Sequence, residues 1–230
     1  MRWLVEQPLT WLVATLLAYR LGVWLLDRTR LSVAQPVLVA VVLLGAALVL
    51  LDVDIEVYAE GNAVLTFLLG PATVALAVPL HRQLHRLRGF ALPMLVALVL
   101  GVVVSVGSAI LLVQLLGGSD ELARTLAPKA TTTPVSVALS AEIGGIPALS
   151  AVLTITAGIL GAVAGPWVLD RLWVREPRAR GVAIGGVSHG IGTARALAED
   201  PVEGAFSGLS MGLTALLTSL LIPLVVALLL

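Results

Sequence analysis

LAPKATTTPVSVALSAEIGGIP, residues 126–147, is apolar enough to lie in a membrane and too broken to cross it as one helix. It carries Lys129 and Glu142, and Thr131, Thr132, Thr133 and Pro134 form a helix-start signal in its middle. It is also too short for two full spans, each of which needs about 20 apolar residues. GVAIGGVSHGIGTARALAEDPVEG, residues 181–204, has the same character: a glycine-rich first part, then Arg195, Glu199, Asp200 and Glu203. In FLLGPATVALAVP, residues 67–79, Gly70-Pro71 lies near the middle. Proline suits the first turn of a helix and disrupts its interior. A stop at Gly70 and a new half-helix from Pro71 are therefore expected, with Thr73 in the first turn.

Long apolar runs surround these breaks, at about 9–26, 33–51, 63–80, 90–116, 147–169 and 205–229. The expected fold class is an all-α integral membrane protein: a helical bundle of about six full spans plus two broken or re-entrant segments. Composition agrees. The 230 residues are 59% hydrophobic and only 12% charged, against about 25% charged in a soluble domain. Mean hydropathy is +1.05. Arg20 interrupts the first run and no small-x-small pattern follows it, so that run reads as a retained span and not a cleaved leader.

Charge gives a direction. Arg28 and Arg30 follow the first run, Arg82, Arg86 and Arg88 follow the third, and Arg171, Arg175, Arg178 and Arg180 precede residue 181. The positive-inside rule assigns these loops to the cytoplasm. DVDIEVYAE, with Asp52, Asp54, Glu56 and Glu60, and later Asp120 and Glu121, then fall outside, as do both termini. Trp3, Trp11, Trp24, Trp167 and Trp173 sit near span ends and read as interfacial anchors.

TTTPVSVALSAEIGG (131–145) resembles GTARALAEDPVEGAF (192–206), and each precedes an apolar span. By the loop charges the two following spans run in opposite directions, which is the pattern of inverted repeats. The organisation expected is one domain over 1–230: N-terminal spans 1–62, a broken span and following helix 63–116, repeat A 122–169 and repeat B 181–230.

Non-helical backbone at membrane depth is tolerated only where protein or water satisfies it. A half-helix starting there presents free N–H groups and a positive dipole end. Thr73, Thr131 to Thr133 and Thr193 sit at such starts, and a small anion fits them. Lys129 and Arg195 are the cations beside them, suited to a carboxylate as a point charge and as a bidentate fork. Against these roles stand snorkelling for Lys129 and an ion pair with Glu199, four residues on, for Arg195. His189, four residues before Thr193, is a candidate for substrate binding and, as a group that titrates near neutral pH, for a coupling proton, or is a packing histidine. Glu142 and Glu203 occupy like places in the two repeats and are further coupling candidates, or charged turns at the surface.

Other chemistry is excluded. There is no cysteine, and the three histidines have no metal-ligand spacing. No phosphate loop, GxSxG elbow or dinucleotide fingerprint is present. Fourteen basic residues balance fourteen acidic ones, so nothing points to nucleic acid. No enzyme, metal or cofactor is expected.

LLGPATVALAVPLHRQ (68–83), LAPKATTTPVSVALSAEIGGIPALSAV (126–152) and SHGIGTARALAEDPVEGAFSGLSMG (188–212) closely resemble the conserved stretches of the LrgB/CidB family. The resemblance covers nearly the whole chain. It places the family signature on Gly70, Pro71, Thr73, Lys129, Thr132, Thr133, Pro134, Glu142, Gly144, Gly145, Ser188, His189, Gly192, Thr193, Arg195, Glu203 and Gly204. Alanine stands at Ala130, where the family pattern has serine. The resemblance implies a bacterial inner-membrane protein encoded beside a smaller LrgA/CidA-type membrane partner. It also implies one of two roles: a holin- or antiholin-like modulator of murein hydrolase activity and autolysis, or a carrier of small carboxylates, as in the similar plastid glycolate/glycerate translocator. Charged residues at helix breaks favour the carrier, of glycolate, glycerate, pyruvate or lactate type. The partners expected are that carboxylate, the LrgA/CidA-like protein, the lipid bilayer and further copies of the chain.

Overall fold

The computed structural model describes residues 7–29, 36–75 and 89–230, without the side chains of 69, 70 and 72–75. The regular secondary structure of the described residues is all helical, joined by short turns, with no strand among them. Their contacts divide the chain into two compact units, Met1–Ala75 and Leu76–Leu230.

The first unit contains α1 (Pro8–Thr29), α2 (Pro36–Leu50), α3 (Ile55–Gly61) and α4 (Ala63–Ala75). Small residues let its helices close: a Cβ on Gly22 would sit 2.7 Å from Pro36 Cα. Ala18, Ala40 and Leu44 form its core with Ala14 and Tyr58. Trp11 departs from the expected anchoring role. It is buried, edge-on to the Tyr58 ring at 6.0 Å, and Tyr58 OH lies 3.2 Å from Thr15 Oγ1. The break expected at Gly70-Pro71 is absent, because α4 runs through Pro71. The side chain of Thr73 and the loop carrying His81, His85, Arg82, Arg86 and Arg88 lie outside the described residues.

The second unit contains α5 (Ala91–Leu115), α6 (Asp120–Leu126), α7 (Thr133–Glu142), α8 (Pro147–Arg171), α9 (Pro177–Glu199) and α10 (Pro201–Leu229). Four described helices are long and apolar enough to cross a membrane: α1, α5, α8 and α10. Apolar residues of α5 recur at helical spacing. Val102, Val106, Ile110 and Val113 pack on Ala123, Ala127, Leu139 and Ile222, while Met94 and Leu98 pack on Val182 and Phe206.

The two segments singled out in the sequence both fold back on themselves. In the first, Lys129 Nζ reaches Ser105, ten residues inside α5, which is about 15 Å from its end. The base of the segment closes where Ile146 N donates to Thr125 Oγ1 at 2.8 Å. A Cβ on Gly145 would stand 2.8 Å from Thr125 N, and Gly144 takes φ +79, so this turn needs its glycines.

The second reversal is at His189, whose φ of 39 and ψ of −132 interrupt α9. In a straight helix, residues eight apart are separated by about 12 Å. Here a Cβ on Gly192 would meet Ile184 Cγ2 at 2.8 Å, and Ile184 and Ala196 share one cluster. The arm before His189 runs parallel to α10: Gly181 presses on Glu203 O and Gly185 on Ser207 O. The arm after it runs antiparallel, Thr193 meeting Ser207 and Leu197 meeting Gly204.

The first fold-back closes at the start of α8 and the second follows the end of α8, so they enter from opposite ends of that helix. They meet on its first half. Ser136 of α7 accepts from Thr154 Oγ1 at 2.6 Å, and His189 Nε2 pairs with Thr154 O at 3.0 Å. Gly158, one turn further along α8, makes room for the His189 ring. Gly158→Ala is expected to destabilise the protein by about 1–3 kcal/mol, since the new methyl meets the ring directly. Gly212→Ala should not, because nothing lies within 4 Å of its added Cβ. Thermal unfolding in detergent tests the contrast; equal melting temperatures would show that the ring moves aside freely.

Candidate functional site

A cavity of about 470 Å³ lies within the second unit, between α5, the first arm of α9 and α10, with the Lys129 turn at one end. Its walls are mainly apolar. Among the described residues Lys129 is its one charged lining residue, and Ser105, Thr214 and Thr218 are its hydroxyl-bearing ones.

Lys129 is half-buried. Its Nζ donates to Ser105 O at 2.9 Å and lies 3.3 Å from Ser105 Oγ. An ammonium has three N–H groups, so one remains for a ligand. No carboxylate pairs with it among the described residues. Thr214 also lines the space, but its Oγ1 is closed off from it against Gly186, 3% of the residue being exposed and the oxygen having no hydrogen-bond partner among the described residues. A cation without a carboxylate partner in an apolar cavity is costly unless a ligand completes it. An acceptor with negative charge does so.

The other candidates read from the sequence are placed elsewhere. Thr132 caps α7 without a side-chain cap bond, and Thr133 is the first helical residue; neither lines the cavity. Thr131 Oγ1 donates to Pro128 O at 2.9 Å. His189 is buried against Thr154 O, and Thr193 Oγ1 bonds His189 O at 2.7 Å and Ser207 Oγ at 2.9 Å. Arg195 pairs with Glu199 at 2.8 Å and donates to Ala162 O. Glu142 is exposed at the end of α7. Glu203 is buried and paired with Arg180 at 3.2 Å, and Arg180 also holds Asp170 at 2.7 Å and Val174 O at 3.0 Å.

Arg195→Gln is therefore expected to change the half-saturating substrate concentration by less than about threefold, the scale of a partly exposed i,i+4 pair. Uptake kinetics measure it. A loss of tenfold or more would put Arg195 back on the substrate. Ser105, Thr214 and Thr218 were not singled out in the sequence. The available signal was weak: isolated hydroxyl residues in apolar spans, with Thr214 and Thr218 one turn apart on the same face.

The fold and cavity define a multi-pass, all-helical membrane protein with a half-buried cation at a chain reversal. The chain belongs to the LrgB-like family, whose model matches residues 15–228. It is 36% identical over 186 residues to YxaC of Bacillus subtilis, covering 81% of each chain. It is 30% identical over 203 residues to a protein of Bacillus mycoides named antiholin-like protein LrgB, covering 88% of each. No solved structure matches it.

Proposed function

We propose that the protein is a secondary carrier or facilitator of small monocarboxylates, of the glycolate, glycerate, pyruvate or lactate type, in the bacterial inner membrane. The observation that carries this reading is Lys129 Nζ, unpaired by any described carboxylate, at the end of an apolar cavity where Ser105 holds it. The two fold-backs and their following spans, α8 and α10, act as inverted repeats that rock about the site. The loop charges put both termini outside. The first substrate contact is Lys129. The buried His189 and Glu203 are coupling candidates, and Glu142 is the candidate at the surface.

A second reading is favoured by the printed name of the Bacillus mycoides relative: an antiholin-like regulator of murein hydrolase activity, working with an LrgA/CidA-like partner. Uptake of labelled pyruvate, glycolate and lactate into proteoliposomes separates them, with the purified protein alone and then with that partner. Saturable uptake supports the carrier. No uptake of any acid in either preparation, together with altered autolysis in cells, supports the regulator.

A further inference from the structure

Residues 167–180 carry four arginines and two acids, and both acids are already paired: Asp170 with Arg180 at 2.7 Å and Glu176 with Arg178 at 2.6 Å. Arg171 and Arg175 are left exposed, and no carboxylate among the described residues pairs with them. Each stands beside an exposed indole. Trp167, 67% exposed, lies one turn before Arg171 on the same face of α8. The Arg175 guanidinium lies 4.9 Å from the centroid of the Trp173 ring, which is 76% exposed. A guanidinium stacked on an indole keeps its N–H edges free for the oxygens of a phosphate.

The turn presents Trp173 from a disfavoured backbone conformation. Trp173 N bonds Asp170 O at 3.1 Å and Val174 N bonds Leu169 O at 2.9 Å, the pattern that ends a helix on one left-handed residue. That place ordinarily belongs to glycine, yet here a tryptophan takes φ 57. Glycine would close the same turn with less strain and present no ring. Arg180 donates to Val174 O at 3.0 Å, so the ring stands on a fixed backbone. Indoles and arginines together at the end of a span match the depth of lipid headgroups, where aromatic bodies pack among apolar chains and cations meet anionic lipid.

We infer that the α8–α9 turn is a binding site for the headgroup of an anionic phospholipid. Arg171 and Arg175 donate to the phosphate, and the Trp167 and Trp173 rings pack against the lipid below it. The site is independent of the Lys129 cavity and of the carrier reading. The test is native mass spectrometry of the full-length protein in a mild neutral detergent, titrated with phosphatidylglycerol, phosphatidylcholine or glycerol 1-phosphate. An arginine near anionic lipid contributes about fivefold in affinity, so the pair should favour phosphatidylglycerol over phosphatidylcholine about 25-fold at one site. Arg171→Gln/Arg175→Gln should reduce that preference below about threefold and leave the melting temperature nearly unchanged, since neither arginine has an ion-pair partner to lose. Trp173→Gly should melt higher than the parent without anionic lipid, because the strain in the turn is relieved. The same variant should bind phosphatidylglycerol about threefold or more weakly, having lost the stacked ring.

Equal binding of the two lipids by the parent overturns the inference. A preference that persists in the double arginine variant belongs to another part of the chain and overturns it too. Glycerol 1-phosphate binding as tightly as the lipid marks a site for soluble phosphate and overturns the lipid assignment. Trp173→Gly binding phosphatidylglycerol as the parent does removes the ring from the site and also overturns the inference.

Discussion

Lys129→Met is expected to abolish saturable carboxylate uptake while leaving the protein as stable as the parent or more so. The side chain keeps its length and apolar stem and loses only its charge and donors. A charge-assisted hydrogen bond contributes about 1.5–3 kcal/mol, so substrate affinity should fall roughly 10- to 150-fold. Stability moves the other way because a half-buried ammonium without a carboxylate partner is costly in apolar surroundings. Removing it leaves Ser105 O with the hydrogen bonds of its own helix turn. Lys129→Arg should retain part of the activity, since it keeps the charge and replaces a compact ammonium with a broad planar fork. Uptake kinetics and thermal unfolding on the same preparations check the pair of effects. Unchanged uptake in Lys129→Met would remove this residue from the site. Loss of uptake together with a collapse in melting temperature would assign it a structural role instead.

Arg180→Ala is expected to cost about 3–5 kcal/mol of stability, the range for removing one partner of a buried pair. Glu203 keeps only 6% of its side chain exposed, and Arg180 joins it to Asp170 and to Val174 O. Through those contacts Arg180 ties the end of α8, the start of α9 and the start of α10 together. Without the guanidinium, the Glu203 carboxylate is left buried and uncompensated. Asp170→Asn should cost less than about 1 kcal/mol, because Asp170 is 69% exposed and its attraction is screened by solvent. The double variant Arg180→Ala/Glu203→Gln should recover much of the loss, since no buried charge remains unpaired. Denaturant unfolding in mild detergent measures all three. Equal costs for Asp170→Asn and Arg180→Ala would show that the buried half of the network contributes nothing.

Several features were legible because their causes are local. Apolar runs of bilayer length marked α1, α5, α8 and α10. The threonines and Pro134 marked the start of α7, since a helix start depends on a few adjacent residues. The Arg195–Glu199 pair was visible as an i,i+4 spacing. Gly70-Pro71 misled because proline in an interior turn only weakens a helix, and α4 continues through it. Trp11 misled because position near a span end cannot tell lipid from a neighbouring ring, and here the ring is Tyr58.

From sequence alone follow the membrane class, the positions of the two interrupted segments and the presence of Lys129 in one of them. Tertiary structure alone decided which charges are already satisfied. Glu203 lies 23 residues from Arg180, and the fold-back of α9 at His189 brings the two together. Lys129 meets Ser105 across 24 residues, and Thr214 joins their cavity from another helix. Such meetings depend on the angle at which the chain reverses and on the glycines that let helices touch, and neither is set by residues near the charges in the chain. An ionisable group in a membrane segment announces a cost in the sequence; the fold determines whether a protein partner or a ligand offsets it.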